Sequence, residues 1–174
     1  MISIHLFMTT IAETPRLIIR EFLPEEEETY LKHFTDEMVL RYIPKRSREE
    51  RIGIFRKALD QYTINKKLGI WGIFNKANGD FIGSCLLRLF NSGPGIVELG
   101  YSMERKYWGM GIGTEMAKAM IAHSLSDTNT LEIVAVTELA NTGSQKVLEK
   151  AGLKRIDNLI RDKEELAYFR LLPG

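Results

Sequence analysis

At 174 residues, with 44% apolar and 27% charged side chains, the chain has the make-up of a soluble globular protein, long enough for one sizeable core and read as a single domain over residues 1–174. Its net charge of +1 gives no general pull toward nucleic acid or a membrane, and its lone cysteine, Cys85, excludes an internal disulfide framework and a cysteine-rich zinc site. The N-terminal MISIHLFMTTIAETP lacks a basic leader and a cleavage site, and no apolar run is long enough to span a bilayer, so a cytoplasmic protein is expected.

Residues 16 to 21, RLIIRE, alternate as a strand, with Leu17 and Ile19 on one face. LPEEEETYLKHF reads as a helix start, proline first and glutamates at the positive end of the dipole. A second helix is expected over residues 47 to 64, where Ile52, Phe55, Ala58, Leu59 and Tyr62 recur at helical spacing. GIWGIFNKANGDFIGSCLLRLF is a pair of β runs about Asn78-Gly79, the dipeptide of a hairpin turn. GIVELGYSM, residues 95 to 103, is another strand, and helix follows over residues 111 to 125. TLEIVAVTE is apolar on both faces and so central in a sheet. NTGSQKVLEKAG is a short helix with Asn141 as N-cap and Gly152 as stop, and residues 154 to 172 hold one or two final strands. Residues 95 to 138 form a strand–helix–strand crossover, so the predicted fold is α/β with a mixed sheet.

Between strand and helix stands YWGMGIGTE, with glycines at positions 109, 111 and 113. A glycine-rich turn feeding a helix N-terminus presents backbone N–H groups to an anion and adds about half a positive charge from the helix dipole. A phosphate ligand explains three glycines; a tight packed connection explains one. The dinucleotide fingerprint fails because its sixth position is Thr114, and no Gly-Lys-Ser/Thr of a P-loop occurs. Glu138 mimics a ribose-binding acid, but only 36 residues follow it, too few for the second half of a doubly wound domain.

The order of these segments resembles the GNAT superfamily of acetyl-CoA-dependent N-acetyltransferases, most closely its RimJ/RimL-like branch. TPRLIIRE resembles the opening strand, ELGYSMERKYWGMGIGTEMAKAMI the acetyl-CoA motif, NTGSQKVLEKAGL the Asn-x-x-Ser helix, and RDKEELAYFRLL the last strand. Trp108 stands where the superfamily commonly has Gln or Arg, a substitution frequent in that branch. The resemblance implies acetyl-CoA as co-substrate, with its pyrophosphate on the backbone of Gly109, Met110, Gly111, Ile112, Gly113 and Thr114 beside Trp108. It also implies a splay between the two parallel strands, where pantetheine meets backbone near Ser102 and Met103. Asn141 is then expected to bond the cofactor arm, and Ser144 to stand near the thiol as acid or water anchor.

Acetyl transfer to an amine needs a proton acceptor, and Glu98 on the entering strand is the candidate, its pKa raised by burial. The competing reading is a strand carboxylate paired with an arginine. For Asn141 and Ser144 the competing reading is helix capping. Tyr168 comes too late in the chain to place as the acid. His5, His33 and His123 show no ligand spacing, so no metal is expected. KRSREERIGIFRK is basic and reads as a solvated helix face or an attractor for an acidic protein tail. The acceptor stays open between a protein N-terminal α-amine and a small amine, and the protomer between monomer and homodimer. The rival functions are a non-catalytic acyl-CoA-binding module and a nucleotide-dependent oxidoreductase.

Overall fold

The computed structural model describes residues 8–174, so His5 and the rest of the first seven residues lie outside the described residues. Its strands are β1 (Thr10–Glu13), β2 (Leu17–Arg20), β3 (Gly69–Asn75), β4 (Phe81–Leu89), β5 (Ile96–Met103), β6 (Glu132–Glu138), β7 (Lys154–Arg161) and β8 (Glu164–Leu171). Its helices are α1 (Glu27–His33), α2 (Glu37–Leu40), α3 (Arg48–Gln61), α4 (Ile112–Leu125) and α5 (Thr142–Lys150). The strands make one mixed sheet in the order β1-β2-β3-β4-β5-β6-β8-β7, antiparallel throughout except for the β5–β6 pair. The expected crossover from residue 95 to 138 is this pair with α4 between its strands. No helix among the described residues is long and apolar enough to cross a membrane.

Period-two patterning assigns each strand residue to one of two covered faces. Trp71, Cys85 and Tyr101 are register partners on one face, where the Trp71 ring meets His123 of α4 edge-on at 5.7 Å. Leu99, Ile133, Ala135 and Phe169 continue this face beneath Met116 and Met120, all essentially buried. On the opposite face Phe22 meets Tyr30 of α1 and Phe55 of α3, with ring centroids 5.6 and 5.3 Å apart. Thus α4 and α5 cover one side of the sheet and α1 and α3 the other.

Local chemistry explains the helix ends. Ser47 and Glu50 close a reciprocal capping box at the start of α3. The PEEE run begins as a single tight turn, Pro24–Glu26, before α1 starts at Glu27. Its glutamates also reach across to α3, where Arg56 grips Glu27 through two hydrogen bonds of 2.9 and 3.2 Å and Arg48 pairs with Glu28. Those pairs take up part of the basic α3 run, as exposed helix-to-helix contacts. The sequence reading lacked β1 and α2. Each has four residues, α2 barely one helical turn and β1, TIAE, without a strict apolar–polar alternation.

Candidate active site

The site is built around a strand pair that starts to form and then stops. β5 and β6 are in register at Ile96–Glu132, Val97–Ile133 and Glu98–Val134, and no partner pairs follow, although both strands run on. β5 remains fully paired with β4 on its other side, from Leu89–Val97 to Gly83–Met103, and β6 with β8 as far as Glu138–Leu166. A wedge therefore opens between residues 99–103 and 135–138, walled by strands that cannot close on each other.

The register decides which backbone groups face the wedge. Glu104 N–H donates to Ile82 C=O at 2.7 Å, and alternation in an antiparallel ladder gives Ser102 and Gly100 the same orientation toward β4. The groups this leaves facing the wedge are Leu99 C=O, both main-chain groups of Tyr101, and Met103 N–H. The expected backbone contact at Ser102 is thus corrected to its odd-numbered neighbours, for Ser102 spends its main-chain groups on β4. Trp108 Nε1–H donates to Met103 C=O at 2.9 Å and ties the strand end to the loop.

Past the wedge the chain turns into α4 through the glycines. Gly109 and Gly111 have φ of +72° and +77°, which side-chain-bearing residues adopt only under strain, and nothing lies within 4 Å of a Cβ placed at Gly109. Gly111 is the N-cap of α4 and provides no side-chain cap, so the first-turn N–H groups of Ile112, Gly113 and Thr114 lack a capping partner. An open-faced cradle of N–H groups at the positive end of a 14-residue helix is suited to a phosphate. Gly113 differs: a Cβ there would come within 3.0 Å of Met103 Cε and 3.2 Å of Val147, so this glycine serves α4–β5–α5 packing. Arg16 fixes the loop from outside. Its guanidinium donates to Met110 C=O at 2.8 Å and to Glu115 at 2.6 Å, and Thr14 Oγ1 donates to the other Glu115 oxygen at 2.6 Å. Sequence reasoning missed Arg16, Thr14 and Glu115; the only signal was the charged pair itself, ninety-nine residues apart.

At the β6 side of the wedge Asn141 caps α5, its Oδ1 accepting from Ser144 N–H at 3.1 Å, so the capping reading holds. Ser144 Oγ is 2.9 Å from the Tyr101 hydroxyl, which joins α5 to β5 across the opening. Burial pushes the Tyr101 phenol up to about 12, against the hydrogen bond to Ser144, so it stays protonated across the neutral range. Tyr101 was not among the expected site residues. Its place in the β5 alternation, on the face opposite Glu98, was the available signal. Tyr168 instead stacks on Phe90 with centroids 5.8 Å apart. A cleft of about 330 Å³ lined by Glu138, Leu139, Ala140 and Glu164–Leu166 adjoins this end of the wedge, and one of about 360 Å³ lies beside the loop at Arg16, Met110 and Ile112.

Glu98 sits at the last paired position, at the closed end of the wedge, and is almost fully buried. Arg88 donates to both its oxygens at 3.0 and 3.1 Å, and Arg161 does the same at 3.0 and 3.2 Å. Burial pushes its pKa up, but the hydrogen bonds and charges of the two guanidiniums together outweigh burial, leaving it below the usual carboxylate range. The expected upward shift is corrected, and the ion-paired alternative describes this residue. A carboxylate whose lone pairs are occupied by two arginines is a weak proton acceptor.

A second polar cluster lies on the α1 side of β5. His33 is buried on α1; its Nε2 is 2.8 Å from Ser102 Oγ and its Nδ1 3.0 Å from Glu104. Burial pushes the imidazole pKa down, against the hydrogen bond and charge of Glu104, so the ring is neutral at pH 7. No group of three or more His, Cys, Asp or Glu among the described residues is placed to hold a metal.

Comparison with known proteins agrees with this geometry. The family model for the acetyltransferase (GNAT) domain matches residues 16–154. The uncharacterized N-acetyltransferase p20 of Bacillus licheniformis is 24% identical over 154 residues, covering 87% of this chain and 86% of that protein. A GNAT-family acetyltransferase from Bacillus anthracis superposes with a TM-score of 0.78 at 22% identity, over 92% of this chain and 97% of that one. RimL, a ribosomal L7/L12 α-N-protein acetyltransferase solved with coenzyme A, superposes with a TM-score of 0.78 at 12% identity, over 94% and 98%. The oxidoreductase reading falls with the family match. The chain belongs to the GNAT acetyltransferase family and is an acyltransferase.

Proposed function

We propose that the protein transfers an acetyl group from acetyl-CoA to a primary amine by direct attack in a ternary complex, in the manner of the RimJ/RimL-like branch and in the cytoplasm. The observation that carries this reading is the open β5–β6 wedge leading to the uncapped start of α4. Acetyl-CoA supplies the acyl group, activated as a thioester. The N–H groups of Ile112, Gly113 and Thr114 hold its pyrophosphate, and the open edge at Leu99 C=O, Tyr101 and Met103 N–H holds its extended arm as a strand would be held. The Tyr101–Ser144 hydroxyl pair bridges the wedge and gives a proton to the departing thiolate. The protonated phenol is the donor, and Ser144 fixes its direction. The acceptor we favour is a protein N-terminal α-amine, which the likeness to the ribosomal-protein enzyme RimL supports, with small amines as the alternative class.

The reading is tested in two steps. Calorimetry with acetyl-CoA, CoA and NADPH should give binding for the first two alone; preference for NADPH overturns it. A screen that follows thiol release, with peptides of free and blocked N-terminus and with small amines, should give turnover dependent on a free amine. Tight acetyl-CoA binding without release of CoA to any amine would instead identify an acyl-CoA-binding module.

A further inference from the structure

We propose that Ser102, His33 and Glu104 form the path by which the acceptor amine loses its proton; this rests on the acetyl-transfer reading above. With Glu98 held by two arginines, the reaction needs another acceptor, and the same strand presents one four residues on. Tyr101 and Ser102 are consecutive in β5 and face opposite sides of the sheet. Tyr101 reaches Ser144 on the face packed by α4 and α5, and Ser102 reaches His33 on the face of α1. One hydroxyl system thus stands on each side of the strand edge, one to give a proton and the other to take one.

The chain of contacts has a direction. A carboxylate oxygen accepts, so the 3.0 Å contact with Glu104 has His33 carry its proton on Nδ1 and donate it. Nε2 is then the acceptor, and the 2.8 Å contact makes Ser102 Oγ–H its donor. Ser102 is half-buried, His33 has no exposed side-chain surface, and Glu104 is 32% exposed. The three lead from the edge of the wedge, through the interior, to water. The groups facing His33 are Glu104, Asp36 at the start of α2 and Arg51 of α3, with the Phe34 and Phe81 rings packed edge-on against it. The two carboxylates favour an imidazolium there, and Arg51 opposes it.

The step balances. The acceptor arrives as an ammonium, and one of its protons passes to Ser102 Oγ as the Ser102 proton passes to His33 Nε2. The imidazolium is held by Glu104 at Nδ1 and, once the product has left, returns its Nε2 proton through Ser102 to water, which restores the Nδ1-protonated ring. The freed nitrogen lone pair forms the C–N bond to the acetyl carbonyl carbon while the C–S bond breaks. The second nitrogen proton goes to the thiolate by way of Tyr101. Ammonium and thioester yield amide, thiol and one proton in solution.

Ser102→Ala removes the relay hydroxyl with the least disturbance, and His33→Gln and Glu104→Gln interrupt the later links. Ser102→Ala should bind acetyl-CoA as the parent does and lose about 10²-fold in kcat/KM at pH 7. The loss should shrink as pH rises toward the amine pKa, because neutral amine needs no relay. A role confined to anchoring α1 on β5 would move Tm and leave the pH profile in place, so a parent-like profile in Ser102→Ala with acetyl-CoA still bound overturns the relay. Imidazole ¹⁵N resonances test it without turnover, and so remain decisive if no amine is acetylated. Parent His33 should show a protonated Nδ1 and an unprotonated Nε2 at pH 7, with the Nε2 resonance shifted in Ser102→Ala; a ring protonated on Nε2 overturns it.

Discussion

The two halves of β5 behave as different materials. At Val97 and Glu98 the strand is paired on both sides, and Glu98 is clamped by Arg88 and Arg161. From Leu99 to Met103 it is paired on one side only, and its polar side chains, Tyr101 and Ser102, bond to helices on opposite faces. The first half is an anchor that holds the strand while its continuation stays open. An open strand edge is a liability unless something covers it. Here the fold keeps one inside the molecule, where an extended co-substrate arm can complete the hydrogen bonding.

The largest effect should come from the loop at the open end. Gly111→Val adds a β-branched side chain at φ +77° within the N–H cradle, and acetyl-CoA binding measured by calorimetry should be lost. Retained affinity would remove the phosphate from this loop. Next, Tyr101→Phe deletes the bridging hydroxyl without emptying the ring's place. We expect kcat to fall about 10²-fold with acetyl-CoA affinity kept, measured in single turnover. Ser144→Ala should do less, since it orients the donor.

At the closed end the expectation reverses. Glu98→Gln should cost about 1.5–3 kcal/mol of stability in denaturant unfolding, by the usual worth of hydrogen bonds to charged groups, and leave turnover close to the parent's. A rate defect of about 10²-fold or more in Glu98→Gln would return the base role to it. The pH dependence has a definite sign. Because the folded-state pKa of Glu98 is depressed, its contribution is full above the ordinary carboxylate pKa and is lost as pH falls through the folded value. The parent should therefore lose more stability on acidification than Glu98→Gln does. The smallest effect is assigned to Asn141→Ala, about 1 kcal/mol for a lost N-cap, with weaker acetyl-CoA binding only if its amide also touches the arm.

The elements were largely legible because their causes are local. The Ser47 capping box, Gly111 at the head of α4 and Asn141 at the head of α5 are written within a turn of where they act. The strand–glycine–helix order was enough to place the turn between β5 and α4, and the order of motifs to mark the family. What the sequence by itself determined, then, was the kind of fold and the position of the glycine turn at the head of α4. The tertiary structure decided where β5 and β6 part and hence which backbone groups stay free, because register depends on a partner strand more than thirty residues away. It decided that Glu98 is an ion-pair centre, since Arg161 arrives from β7, sixty-three residues on. It also joined His33 to Ser102 and Tyr101 to Ser144. A proton path is a property of atoms within hydrogen-bond reach, and neither pair is neighbouring in the chain.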